Sequence, residues 1–285
     1  MPVSWDRRSA LRCGAMTGNV RYGLGLARAA GGAIIFALPI LMTFEMWTLG
    51  FTIDPARLLL LLVLLVPVLA LLSYHAGFET TATWRDDAID AVVAYGIAFC
   101  ASAGVLWLLG VITSATDAQD AVGKVAVQTV PASIGAMLAR TLLAGEHADA
   151  DRRAQTTYGG EMFLMAIGAL FLGFSVAPTD EVVMIAFQLS PAKTIALVMV
   201  SLVLMHAFVY AVEFRGQAAR AGHVSAAAEF LRLTIPGYAI ALLTSGYLLW
   251  TFGRADGLHA AEFVRAAVVL GFPAAIGAAS ARLVL

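Results

Sequence analysis

The chain has 285 residues, a formal net charge of −1 and a mean hydropathy of +0.84, with 60% hydrophobic and 13% charged side chains. So few charges cannot cover a soluble globule, whose charged fraction is about 25%, and a near-neutral chain carries no basic footprint for nucleic acid. What remains is a polytopic membrane protein. It is read as all-α, because the apolar runs lack the alternation of barrel strands.

In chain order, residues 1–21 read as a cytoplasmic tail. No small-x-small cleavage site follows the first apolar stretch, so it is read as a retained span. Eight spans are expected, at about 29–49, 57–75, 88–112, 121–143, 158–177, 192–213, 230–252 and 261–281. Each suffices to cross a hydrocarbon core of ~30 Å. The segment 178–191 (PTDEVVMIAFQLSP) is too short to span and reads as re-entrant or interfacial. With the N-terminus inside, 13 of the 18 lysines and arginines fall on the inner side and 5 on the outer. This bias predicts both termini in the cytoplasm and an even number of spans. Cys13 and Cys100 lack any C-x-x-C partner, so no thiolate metal site or cofactor is expected.

The chain repeats itself. Residues 22–78 and 158–214 align without gaps at an offset of 136, with 13 of 57 positions identical. Thr43 and Glu45 meet Thr179 and Glu181, and Pro55 meets Pro191. Tyr95 and Trp107 then meet Tyr238 and Trp250 at an offset of 143, and PASIGAMLAR (131–140) meets PAAIGAASAR (273–282) at 142. Four spans per repeat is an even number, so the halves insert in parallel, with a pseudo-two-fold axis along the membrane normal. The predicted organisation is a first four-helix repeat at 22–143, a cytoplasmic linker at 144–157 and a second repeat at 158–285. Small residues recur every four positions at Gly96, Cys100 and Gly104, and at Gly271, Ala275 and Ala279; both stripes are expected to pack helices within a half.

Glu45 and Glu181, with Thr43 and Thr179, form the first candidate site. Each T-x-E follows a proline, Pro39 or Pro178, that breaks a helix and frees carbonyls. A carboxylate at this depth is costly and faces water, a partner or a cation. The competing reading has the threonines cap short helices whose first turns hold the glutamates. His206, one turn from Tyr210, is a proton relay or a histidine satisfied by one neighbour. Glu161 lies at an inner gate or pairs with Arg28. Asp86, Asp87 and Asp90 spell D-D-x-x-D, a pattern that holds Mg2+ and diphosphate in membrane prenyltransferases. The matching later loop, GHVSAAAEF (222–230), has no aspartate, and helix capping is the simpler account.

The stretch GALFLGFSVAPTDEVVMIAFQLSPAK (168–193), with its flanking spans, resembles a family of bacterial integral membrane proteins of unknown function. The resemblance runs over most of the chain from about residue 20. It implies an inner-membrane location and no catalytic or binding residue. The functional expectation is a proton or small-cation channel or transporter, with the bilayer and that ion as partners and a homo-oligomer left open. The alternatives are an Mg-dependent lipid or isoprenoid enzyme using Asp86, Asp87 and Asp90, or a membrane partner subunit without transport.

Overall fold

The computed structural model describes residues 7–76, 84–143, 157–216 and 226–284. The elements are α1 (Arg7–Leu41), α2 (Phe44–Thr52), α3 (Pro55–Ala76), α4 (Trp84–Leu108), α5 (Ala118–Leu143), α6 (Tyr158–Val176), α7 (Glu181–Gln188), α8 (Pro191–Gly216), α9 (Ala226–Glu229), a π-helical turn (Phe230–Thr234), α10 (Ile235–Thr251) and α11 (Ala260–Val284). Among the described residues there is no strand, and eight helical stretches are long and apolar enough to cross a membrane. The linker residues 144–156 and the side chain of Tyr210 lie outside the described residues.

By their contacts the helices fall into two groups, α1–α5 and α6–α11, called the halves below, and the last helix of each group is its hub. Helices α1, α2, α3 and α4 pack on α5, and α6, α7, α8 and α10 pack on α11. The reason is composition. Every residue of α5 from Val125 to Ala139 is buried, and most of these side chains are Ala, Val, Ser, Thr or Gly. Small side chains let several backbones approach one helix, and packing rather than hydrophobicity drives association in lipid. The closest approaches are glycine on glycine. A Cβ on Gly32 would strike the Gly135 carbonyl, and one on Gly168 would strike the Gly277 carbonyl. The halves meet where α3 touches α10 and α5 touches α6, and the Phe36 and Phe171 rings pack edge to face at 5.1 Å.

Two turns close the bundle at the end opposite the N-terminal residues of α3's partner α4; this end, which holds residues 53–54, 109–117 and 252–259, is called distal below. Helices α4 and α10 both stop there on a glycine with φ of +73°, Gly110 and Gly253. In each case the following amide bonds back to a carbonyl of the last turn, Val111 to Leu106 at 2.9 Å and Arg254 to Leu249 at 2.8 Å. This is the left-handed glycine cap, which no side-chain-bearing residue adopts without strain.

Two expectations are corrected here. The first span does not run to 49: it stops at Leu41, and Phe44–Thr52 is a separate helix. The stripe of Gly96, Cys100 and Gly104 does not pack within its half. All three are exposed on α4, and a Cβ on either glycine would meet nothing within 4 Å. Spacing identified the stripe but not the direction in which it faces. The second stripe does pack: Gly271 is buried against Leu242, and Ala275 and Ala279 are fully buried.

Candidate functional site

The functional candidates converge on two interruptions, one between α1 and α2 and one between α6 and α7. Pro39 stands two residues before the end of α1 and Pro178 lies inside the second interruption. Proline has no N–H to continue the ladder. The geometry around the threonines is the same in both. The Thr43 hydroxyl donates to the Ile40 carbonyl at 2.8 Å, and the Thr43 amide donates to the same oxygen at 3.1 Å. The Thr179 hydroxyl and amide donate to the Val176 carbonyl at 3.0 and 3.1 Å. These threonines therefore bond backward to the helix just ended. Neither side chain caps the helix that follows, although Thr43 occupies the N-cap position of α2 with extended dihedrals.

Glu45 and Glu181 sit in the first turns of α2 and α7, where the positive end of the helix dipole favours them. Glu45 is half-buried and Glu181 is exposed. Among the described residues neither carboxylate is in an ion pair. Helix α2 seats on α5 and α7 on α11, so each glutamate belongs to its own half. The seat of α2 is a backbone contact in which a Cβ on Gly123 would strike the Gly50 carbonyl.

What faces the two interruptions differs. In the first half, Gln128 of α5 is fully buried, and its Nε2 donates to the Ile40 carbonyl at 3.4 Å. Its Oε1 is buried and has no hydrogen-bond partner among the described residues. Gln128 lies about 15 Å along α5 at 1.5 Å per residue, so the interruption is well inside the bundle. The Leu41 carbonyl accepts from the Trp47 indole at 2.7 Å. In the second half the position matching Gln128 is the buried Leu270. There Arg254, from the distal loop, reaches down to the Asp180 carboxylate and the Pro178 carbonyl. Sequence analysis missed Arg254, because nothing in the local pattern at 252–257 points to residues some 75 positions earlier.

The distal end holds a cavity of about 580 Å³ between the halves, lined by Asp54, Arg57, Gln119, Asp120, Gly253 and Asp256 among others. Arg57 crosses it. Its two terminal nitrogens each bond Asp256 at 3.0 Å, one also reaches the Trp250 carbonyl at 2.8 Å, and the guanidinium lies 5.1 Å from the Trp250 ring centre. Arg57 therefore serves as a clasp between the halves and does not neutralise Glu45. Arg57→Gln is expected to lower the unfolding midpoint in detergent by a few degrees. Asp256→Asn should lower it less, since Arg57 keeps its Trp250 contacts, and the double variant should lose little more than Arg57→Gln alone. Additive losses in thermal unfolding would show that the two side chains act separately.

The remaining candidates are placed as follows. The His206 Nδ1 lies 3.1 Å from the Thr234 hydroxyl, and its ring packs edge to face on Phe230. Both partners belong to the π-helical turn, a local widening that sequence periodicity did not reveal. Glu161 is half-buried in the first turn of α6, which Thr157 caps by accepting from the Gly160 amide at 3.2 Å. Asp86 and Asp87 lie in the first turn of α4. Asp87 and Asp90 are buried and both accept from the Ser73 hydroxyl, at 3.2 and 3.4 Å. Among the described residues no three His, Cys, Asp or Glu side chains are placed to hold a metal ion.

Eight apolar helices gathered on two small-residue hubs make this a multi-pass helical membrane protein. The chain belongs to the family described as "Putative integral membrane protein (DUF2391)", which matches residues 25–285. No curated protein and no solved structure matches the chain.

Proposed function

We propose that the protein carries protons or small cations across the bacterial inner membrane, through two parallel halves related by a pseudo-two-fold axis along the membrane normal. The observation that carries this reading is the pair of helices interrupted inside the bundle, each with T-x-E at the break. Interrupted helices present backbone carbonyls and a dipole end at membrane depth, which is costly unless they serve an ion or substrate. Equivalent helix pairings, the two glycine crossings and the two glycine caps support the repeat. The Mg-dependent enzyme reading is weaker, because Asp87 and Asp90 are buried against Ser73 where that chemistry needs carboxylates open to a diphosphate.

In this reading the distal end faces outward and the linker faces the cytoplasm, as the lysine and arginine bias requires. Single cysteines at Asp117 and Asp149, in a background lacking Cys13 and Cys100, check the sidedness. A membrane-impermeant maleimide should label position 117 from the periplasm and position 149 only after permeabilisation; the opposite pattern rejects the orientation. Flux is tested with the purified protein in liposomes under an imposed proton, sodium or potassium gradient. The expected result is a flux above that of protein-free vesicles for at least one of these ions. Vesicles that leak no more than the controls under all three gradients would favour a partner subunit without transport.

A further inference from the structure

The two interruptions share their threonine geometry but not their surroundings, and this difference suggests a division of labour. In the second half the interruption is occupied by protein, since Arg254 holds the Pro178 carbonyl and the Asp180 carboxylate. The position facing it on the hub helix is apolar, Leu270. In the first half no cationic side chain bonds the interruption among the described residues. The facing position is Gln128, which is 0% exposed and whose Oε1 has no partner among the described residues.

The orientation of that amide is set by its surroundings. Nε2 points at the Ile40 carbonyl, which can only accept. Turning the amide over would put two acceptors together, so Oε1 is left as the open group. A buried acceptor without a donor is costly, and the matching position of the second half holds a buried leucine instead. A second unpartnered oxygen, Ser102 Oγ, is buried on α4, the helix that packs on both α1 and α5. Its counterpart in the second half, Ser245, is satisfied by the Ala241 carbonyl at 2.7 Å. Along the helices at the first interruption, the charged residues nearest Thr43 and Gln128 are Glu45, two residues on in α2, and Lys124, one turn toward the distal end of α5. The Lys124 ammonium lies 5.9 Å from the Phe51 ring centre and forms no ion pair with Glu45.

We infer that the interruption between α1 and α2 is a binding site for a dehydrated alkali cation, with Gln128 Oε1 as an oxygen ligand, and that the second interruption is a fixed structural copy held by Arg254. The inference rests on the transport reading, which it narrows to alkali ions and to one half. Ser102 Oγ and the Glu45 carboxylate are the further oxygens available on the enclosing helices. Neutral oxygens with at most one carboxylate suit a monovalent ion better than Mg2+ or Ca2+, which take several carboxylates. A water molecule is the competing occupant.

The test is equilibrium binding rather than flux, so that it stands apart from transport. Radiolabelled sodium is bound to the purified full-length protein in detergent, with unlabelled sodium, potassium and choline as competitors at constant ionic strength. The wild type should show saturable binding displaced by sodium or potassium and not by choline; the stronger competitor identifies the ion. Gln128→Leu copies the second half, and Gln128→Met keeps the side-chain length without an acceptor. Each should weaken binding by about tenfold or more, the loss of one hydrogen-bonding ligand to a charge. Arg254→Gln should leave the affinity unchanged. Absence of saturable binding in the wild type, or equal affinity in folded Gln128→Leu and Gln128→Met, overturns the site and leaves water as the occupant. Proton flux without alkali binding would sink this inference while the broader transport reading stands. Alkali binding without flux would do the reverse.

Discussion

Gly168→Val is expected to destabilise the protein by about 3 kcal/mol, near the upper end of the usual overpacking penalty. At Gly168 the added atoms have nowhere to go, since the obstacle is the Gly277 carbonyl and the Ala281 Cβ, which are rigid parts of α11. Gly32→Val meets the same obstruction from Gly135 and Ala139 and should cost a similar amount. These crossings join the first helix of each half to its hub, so their loss removes the platform on which the interrupted segments rest. Gly96→Ala is the control. Its Cβ projects into open space on α4, and replacing a helical glycine there should stabilise by about 0.5–1 kcal/mol. Denaturant titration in mixed micelles distinguishes these outcomes. Equal stability of Gly168→Val and Gly96→Ala would contradict the packing described.

The largest functional effect is expected at the glutamates. Glu45→Gln preserves shape and removes charge, so it separates the carboxylate's chemistry from its packing. It should lower flux by about tenfold or more if the carboxylate bonds the moving ion. Glu181→Gln should cost less. Glu181 is exposed, and its interruption is already held by Arg254. A larger loss at Glu181 than at Glu45, read from initial rates in liposomes, would reverse the assignment of the working half.

The number of spans was legible because each span is one long apolar run. The interruption at 42–43 was legible only in part: Pro39 and the T-x-E pattern pointed to a break, yet Met42, Phe44 and Met46 let the first span be drawn through it to 49. In the second half the polar P-T-D-E exposes the matching break, and the segment 178–191 was recognised as too short to span. The internal alignment of Thr43 and Glu45 with Thr179 and Glu181 is what paired that break with one in the first half. Gln128 could be seen in the sequence as a polar residue without a counterpart, but not what it faces, because the Ile40 carbonyl is 88 residues away. Asp87 and Asp90 read as a motif, whereas their burial against Ser73 is a tertiary property. The outward direction of Gly96, Cys100 and Gly104 was illegible on similar grounds. A four-residue spacing gives one face of a helix and says nothing about which neighbour that face meets.

The most direct test of transport through the interrupted helices compares wild type with the Glu45→Gln, Glu181→Gln double variant. Both are purified, shown to fold by circular dichroism and size exclusion, and placed in liposomes at equal density. Initial rates of proton, sodium and potassium flux are then recorded over a range of pH. The account predicts a wild-type flux for at least one ion and, for the double variant, a rate indistinguishable from protein-free vesicles. A double variant that carries the wild-type flux at every pH would contradict it, and the glutamates would then serve only to start two short helices.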